Sequence, residues 1–175
     1  LVKAQENLLP FIKTDVNGDR LTVELSECIR PTEEIQVEII TNGIVKLVHS
    51  GSGSLETLGA LKADDFKIVS EGSGDLSCKI KTSDLEVDAS GSGNIMLSGD
   101  ANDLEIDLDG SGDVNTLSLK ANTVDASNDG SGTLSIYAKD EMSLSLSGSG
   151  DIRHSGFPQN STISNNGSGS VVLID

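Results

Sequence analysis

Residues 104–114 read LEIDLDGSGDV, and the tripeptide Gly-Ser-Gly within them occurs seven times in the chain. The copies begin at Gly51, Gly72, Gly91, Gly110, Gly130, Gly148 and Gly167 and lie 18 to 21 residues apart. A small polar residue follows every copy, and an aliphatic residue follows that one. A flexible Gly/Ser linker would keep no such register because it has no interior for an aliphatic column to face. A period near 20 residues predicts a solenoid, in which each repeat buries its apolar face against its neighbours.

The residues before each tripeptide alternate between apolar and polar. Before Gly110 the apolar positions are Leu104, Ile106 and Leu108, with acidic residues between them. The position four residues before the tripeptide is apolar in every repeat: Leu47, Ile68, Val87, Ile106, Ala126, Leu144 and Ile163. This period of two is typical of a strand with one buried and one exposed face. Each repeat therefore predicts a strand, a Gly-Ser-Gly corner, a second short strand and a return loop.

Two β architectures could be built from this repeat. An antiparallel meander would use the tripeptide as a hairpin turn, but equivalent positions recur in the same chain direction, which favours parallel stacking of whole coils. Parallel β connections are right-handed by strong preference. The composition, with 2% aromatic residues and 19 glycines, suits a narrow aliphatic interior. The sequence therefore predicts an all-β fold, a right-handed single-stranded parallel β-helix with coils of about 19 residues and almost no helix.

One domain over residues 1–175 is expected. Residues 1–50 lack the tripeptide and are predicted to form irregular opening coils that cap the solenoid, since terminal repeats are usually atypical. Residues 51–175 form the repeat coils. The last residues, Val171 to Asp175, read as an uncovered apolar strand, which is a pairing hazard. Self-association through this C-terminal strand is therefore one interaction that the sequence predicts.

The sequence predicts three roles for the residues of the corners. Glycine reaches positive φ without a Cβ clash, so Gly93 and Gly112 are expected to have positive φ. Replacing either with valine is then expected to lower stability by several kcal/mol. The polar residue after each tripeptide is expected to hydrogen-bond nearby backbone and hold the turn. The serines are expected to form a hydroxyl ladder that ties the corners together: Ser52, Ser73, Ser92, Ser111, Ser131, Ser149 and Ser168. Neither a calcium-binding nonapeptide roll nor a phosphate loop fits, because the period is double and no helix follows.

No pattern of catalytic or zinc-ligating residues is visible. His49 occupies a position where other repeats have Ala89 or Leu108, so a partly buried histidine is expected. His154 is adjacent to Arg153, but neighbours along a strand point to opposite faces, so an acid–base site is not expected there. The chain is predicted not to be an enzyme, with no catalytic or cofactor-binding residues.

The two cysteines leave the redox compartment open. Cys78 aligns with aliphatic residues of other repeats and is expected to be buried, whereas Cys28 lies in a predicted loop. Two cysteines do not make a disulfide framework, and whether these two pair is not decided by the sequence.

Acidic side chains are expected to stack along one outer face. The chain has 28 acidic residues against 12 Lys plus Arg, a net charge of −16. The predicted register places five of the acids in two adjacent columns: Glu86, Glu105 and Asp125 in one, Asp88 and Asp107 in the other. One interpretation is a solvated face, with Lys67 relieving Glu86 only. The sharper interpretation is weak Ca²⁺ binding, since hard oxygen ligands suit that ion, or docking of a basic partner.

The residues also resemble a known family. The segment NLLPFIKT (residues 7–14) and the Gly-Ser-Gly-Asp corners at Gly72, Gly110 and Gly148 are similar to the autotransporter-adhesin head domain, the head GIN domain of Bacteroidetes-type envelope proteins. The resemblance covers nearly the whole chain. It implies a β-helix and an exported protein at the cell surface or in the periplasm, with a signal peptide that the present sequence does not include. It implies no catalytic residues.

Two function hypotheses follow. The first is a non-enzymatic cell-envelope scaffold, adhesin-like, that presents a repetitive acidic surface to a glycan or to another envelope protein. The alternative is a polysaccharide-binding or polysaccharide-cleaving β-helix enzyme, which rests on fold analogy alone. A net charge of −16 predicts repulsion of uronates and of nucleic acids. No nucleic-acid partner and no transmembrane segment are expected.

Overall fold

The computed structural model describes residues 1–27, 34–41 and 43–174. The chain divides into two compact units, Leu1–Asn42 and Gly43–Asp175.

The first unit contains short antiparallel pairs. β2 (Ile12–Asn17) and β3 (Arg20–Leu25) form a hairpin, and Gly18 in its turn has a φ of 64°. β1 (Val2–Lys3) pairs with β4 (Gln36–Val37), and a single 3-10 turn spans Leu9–Phe11. The hairpin turn thus falls at Asn17-Gly18, a pair of residues that is typical of such turns. That residues 1–50 form opening coils that cap the solenoid stays a prediction, as does the single domain.

The second unit is a parallel β-solenoid of about seven turns. Its strands are β5 (Lys46–His49), β6 (Leu55–Lys62), β7 (Asp65–Ser70), β8 (Leu76–Lys81), β9 (Asp84–Ala89), β10 (Ile95–Leu108), β11 (Val114–Asn128), β12 (Leu134–Leu146), β13 (Ile152–Ser155), β14 (Asn160–Asn165) and β15 (Val171–Leu173). All pairings among them are parallel. The prediction of an all-β parallel β-helix with almost no helix is confirmed.

The strands form two stacks that enclose the core. The first stack consists of the strands before each corner: β5, β7, β9, the second halves of β10, β11 and β12, and β14. The second stack consists of the strands after each corner: β6, β8, the first halves of β10, β11 and β12, β13 and β15. Because successive side chains in a strand point to opposite faces, every strand has an inner and an outer row.

The inner rows are aliphatic and closely packed. Ile68, Val87, Ile106 and Leu144 in the first stack are at most 2% exposed, as are Ile95 and Ile136 in the second. Stacking coils of similar sequence buries this column without any large ring. Ile163, in the last turn, is 47% exposed because no later described strand packs on its far side.

The corner glycines are required for a reason other than the expected one. Positive φ occurs only at Gly18, Gly99 and Gly156 among the described residues, so the expectation of positive φ at Gly93 and Gly112 is wrong. A Cβ on Gly93 would instead overlap the carbonyl oxygen of Gly74, one coil earlier. The coils therefore approach each other too closely at the corner for any side chain.

Backbone groups and the polar residue after the tripeptide tie the corners together. The N–H groups of Ser92 and Gly93 both donate to the carbonyl oxygen of Gly72, at 3.0 and 3.2 Å, and later corners repeat the pattern. The Oδ1 atom of Asp113 accepts the backbone N–H of Thr133 at 2.7 Å. Asp75, Asn94 and Asp151 accept the N–H of the next coil in the same way. The predicted turn-holding role is thus confirmed, and its bonds run between coils.

The serine hydroxyl ladder is wrong. All seven corner serines are exposed, and their hydroxyls make no hydrogen bond within the described part of the chain. Their backbone N–H groups do the tying from Ser73 onward, so the hydroxyls remain a solvent-facing row along the corner edge.

Candidate functional site

The outer rows of the first stack form what we call the acidic face. In register along the solenoid, Lys67 is followed by Glu86, Glu105 and Asp125, and the neighbouring row contains Asp88 and Asp107. The two predicted acidic columns are therefore present, with the predicted residues in register. A further column, which sequence reasoning missed, contains Asp65, Asp84 and Asp103. With Glu141, the acidic face has nine carboxylates and two lysines, Lys46 and Lys67.

Lys67 neutralises more of the acidic face than the sequence predicts. Its Nζ lies 2.5 Å from Oε1 of Glu86 and 2.8 Å from Oδ2 of Asp88, so the expectation that it relieves Glu86 alone is wrong. Hydrogen bonds to Asp88 and Glu86 raise the pKa of the Lys67 ammonium above its usual value. Two coils further along, the Asp107 Oδ1 accepts the Ser127 hydroxyl at 2.6 Å.

The column of Asp65, Asp84 and Asp103, with which Lys67 forms no ion pair, behaves differently. A hydrogen bond with the Asp65 carboxyl raises the pKa of Asp84, and the Asp103 charge on its other side acts in the same direction. A carboxyl group whose neighbours are also carboxyls holds its proton more tightly because the second charge is unfavourable. The face is therefore repulsive along the solenoid wherever Lys67 does not reach.

No metal site is evident on this face. No three His, Cys, Asp or Glu side chains in residues 1–27, 34–41 and 43–174 are placed to hold a metal ion. Calcium binding at Glu86, Asp88, Glu105, Asp107 and Asp125 stays a prediction.

The outer rows of the second stack form what we call the lysine face. They bear six cations, which are Lys62, Lys79, Lys81, Lys120, Lys139 and Arg153. The carboxylates within these rows are Glu56 and Asp100, with Asp140 beside Lys139, and Asp75, Asp113 and Asp151 directly precede β8, β11 and β13 at the corner edge. Lys139 pairs with Asp140 at 3.3 Å, and the other five cations have no ion-pair partner within the described part of the chain. The strands of the second stack therefore carry more cations than carboxylates, the reverse of the first stack.

The predicted site histidines are not brought together with acids. His154 pairs in register with Ile136 and Leu173, in an inner row, whereas Arg153 points outward and is exposed. His49 is half-buried at the first described coil, as expected. The Nδ1 atoms of both histidines are buried and lack a hydrogen-bond partner among the described residues. These imidazoles pack in the solenoid and have no partner for acid–base work.

Replacing His154 with leucine is expected to stabilise the protein, and more so in acid. Desolvation lowers the pKa of His154 below 6.5 in the fold. Because the pKa is lowered in the fold, the unfolded chain binds more protons. His154 therefore makes the protein less stable as the pH falls below about 6.5. The leucine side chain fits a row that already contains Ile136 and Leu173. Urea melts at about pH 5 and pH 8 measure the effect, and an equal gain at both would contradict the titration argument.

Cys78 is 2% exposed, as expected, and burial raises the pKa of its thiol to about 12. Cys28 lies outside the described residues, so its pairing stays open.

Two open depressions lie on the surface of the described residues. One follows the corner edge past Ser50, Ser73 and Ser92, and the other lies on the β2–β3 hairpin. Among the described residues no helix has the length and apolarity to span a membrane.

Similar proteins agree with this architecture. A putative adhesin from Bacteroides fragilis NCTC 9343 has a TM-score of 0.94 at 24% identity, covering 99% of this chain and 81% of that one. A putative lipid binding protein from Parabacteroides distasonis ATCC 8503 has a TM-score of 0.75 at 24% identity, over 98% and 82% of the two chains. A putative adhesin from Parabacteroides merdae ATCC 43184 has a TM-score of 0.66 at 18% identity, over 98% and 82%.

At these identities the likeness concerns the fold. No curated protein sequence matches the chain. The family model described as "Putative auto-transporter adhesin, head GIN domain" matches residues 1–158. With the repeat, the solenoid and this match in agreement, the chain belongs to the family described as "Putative auto-transporter adhesin, head GIN domain".

Proposed function

We propose that the chain is a non-enzymatic, adhesin-like scaffold that works outside the cytoplasm, at the cell surface or in the periplasm. The observation that carries this proposal is the filled interior. Inner-row side chains from Phe66 to Ile152 close the space between the two stacks, and most are under 3% exposed. The described part of the solenoid offers a ligand no internal site, so we place binding on an outer face or at an end. Membership of an adhesin family supports the same mode of action.

The partners that suit such a surface are a glycan or another envelope protein. The flat faces repeat at about 4.8 Å along the solenoid axis, so a partner with its own repeat can make the same contact several times. Weak contacts made several times over give an avidity that none has alone.

Self-association at the C-terminal end is proposed as a second contact. Val172 and Leu173 of β15 are 46% and 50% exposed. β15 pairs with β13 on one side, and its other edge has no strand partner in the described part of the chain. An edge of this kind pairs readily with another strand.

The alternative proposal, a polysaccharide-binding or polysaccharide-cleaving β-helix enzyme, shares the first proposal's exterior binding but adds catalysis. The two are separated by a glycan panel scored for both retention and released reducing ends. We expect retention of one or more glycans with no product. Reproducible turnover that is lost on unfolding the chain would overturn the scaffold proposal.

A further inference from the structure

We propose that the lysine face is a docking surface for a linear glycan that carries carboxylates. The inference rests on the proposed function and names the ligand class and the face that binds it. Its starting point is that charge is distributed unevenly over a chain whose net charge is −16. A surface with this net charge spread evenly would repel uronates, but the cations of the solenoid are concentrated on the second stack.

The cations on this face are arranged as a row. Lys62, Lys81, Asp100 and Lys120 are in register on successive coils. Lys62 and Lys81 are thus about 4.8 Å apart along the axis, and Lys120 follows about two coils later. Lys79 lies two residues before Lys81 on the same strand, in the adjacent outer row. A row of charges along an axis suits an extended polyanion better than a compact anion.

These cations are available to a ligand. Lys62, Lys79, Lys81, Lys120 and Arg153 are exposed and have no ion-pair partner within the described part of the chain. On the acidic face, by contrast, Lys67 is held by two carboxylates. These ammonium groups are therefore free to pair with an anion from outside the chain.

The acidic face does not cancel this attraction. Two packed sheets lie about 10 Å apart, and outward side chains add to the separation. The Debye length at physiological ionic strength is about 8 Å, so the columns of Glu86, Glu105 and Asp125 and of Asp88 and Asp107 are screened through solvent from a ligand on the lysine face. Asp65, Asp84 and Asp103 lie nearer, three residues after Lys62, Lys81 and Asp100. Local charge therefore governs contact, and the acidic face disfavours binding on the wrong side.

The outer rows favour a saccharide over a nucleic acid. Between the cations lie Ser77, Asn115 and Ser135, which offer hydrogen bonds, and Met96, which is 58% exposed. Non-specific single-strand binding uses several aromatic side chains on which bases stack, whereas Tyr137 is the aromatic residue of these rows. Sparse cations with polar groups between them suit a chain with one carboxylate per sugar.

The test compares polygalacturonate with its fully methyl-esterified form, which keeps the backbone and removes the charge. Binding is measured at about 0.05 and 0.5 M sodium chloride, with a chelator present so that calcium bridges neither partner. We expect binding to polygalacturonate that weakens with salt, and none to the ester. Equal binding to both, or binding to neither at low salt, would overturn the inference.

Matched variants locate the site. The lysine-face variant is Lys62→Gln, Lys81→Gln, Lys120→Gln, and the control is Lys3→Gln, Lys13→Gln, Lys46→Gln, which removes the same net charge from exposed positions elsewhere. We expect about a tenfold loss of affinity in the first and less than about twofold in the second. Equal losses would show that only net charge matters and would overturn the inference. Circular dichroism and melting curves check that both variants fold.

Other occupants give different results. Preferential binding to phosphatidylglycerol vesicles or to single-stranded DNA would replace the glycan, as would low-salt self-association that the lysine-face variant abolishes. Glycan binding unchanged in that variant would overturn this inference and leave the scaffold function standing. Glycan turnover would overturn the scaffold function whatever the lysine face binds.

Discussion

Replacing Gly112 with alanine is expected to lower the free energy of unfolding by about 3 kcal/mol or more. The added Cβ would overlap the backbone carbonyl oxygen of Gly93, while the N–H of Gly112 donates to the carbonyl oxygen of Gly91 in the same earlier coil. Backbone on both sides cannot move aside as a flexible side chain could. Urea melts of the variant and of the wild type measure the difference.

The first corner supplies the control. Gly53 has no atom within 4 Å of the position where a Cβ would stand, because no described corner precedes it. Gly53→Ala is therefore expected to change stability by less than about 0.5 kcal/mol. If the two alanine variants melt alike, close approach of successive coils is not what selects glycine.

Asn128→Ala is expected to cost about 2 to 4 kcal/mol. Asn128 is fully buried, and its Nδ2 donates to the carbonyl oxygens of Gly132 and Asp151 at 2.9 and 3.2 Å. Its Oδ1 accepts the N–H of Gly130 at 3.1 Å. Truncation would remove the side-chain donor to the carbonyl oxygen of buried Gly132 and would open a cavity in the inner row. The Gly130 N–H would keep its bond to the carbonyl oxygen of Leu108.

Asn165 makes the same contacts in an exposed setting. Its Nδ2 donates to the carbonyl oxygen of Gly169, and its Oδ1 accepts the N–H of Gly167, both at 3.0 Å. Water can replace those contacts, so Asn165→Ala is expected to cost less than about 1 kcal/mol. Thermal melts of both variants decide the matter, and a larger loss at Asn165 would show that burial is not the cause.

The solenoid could be predicted from sequence because its repeat is a physical necessity. A coil cannot bury Ile106 or Leu144 alone, so the same position must be apolar in every coil, and this regularity is visible without a structure. The corner glycines were recognised for the same reason. The reason that glycine is required there was predicted wrongly. Positive φ and close contact with a neighbouring coil both favour glycine, and a sequence does not distinguish these two causes.

The two faces were predictable to different degrees. The acidic columns were found because strands of the first stack keep strict alternation, as in Asp84–Ala89 and residues 103–108. The lysine face was missed because pairing in the second stack shifts register, between Glu56 and Ala60, between Met96 and Ser98, and between Asn115 and Ala121. Each shift breaks the period of two, so Lys62, Lys81 and Lys120 do not align by counting from the tripeptide. Asn128 was also missed, although a polar residue between Leu108 and Leu146 in the same row was the available signal.

The direction of the corner hydrogen bonds has a consequence for how the molecule can be made. Within the Gly-Ser-Gly corners the acceptor always belongs to the earlier coil: the carbonyl of Gly72 for Ser92, that of Gly91 for Ser111, that of Gly130 for Ser149. A chain that emerges N-terminus first, as during synthesis, therefore meets at each step a finished edge whose acceptors are already in place. The corners can therefore close one turn at a time on this template, whereas the N–H groups just after them, such as that of Leu76, wait for a carbonyl of the next coil, here that of Asn94. The order of the sequence is also a workable order of assembly.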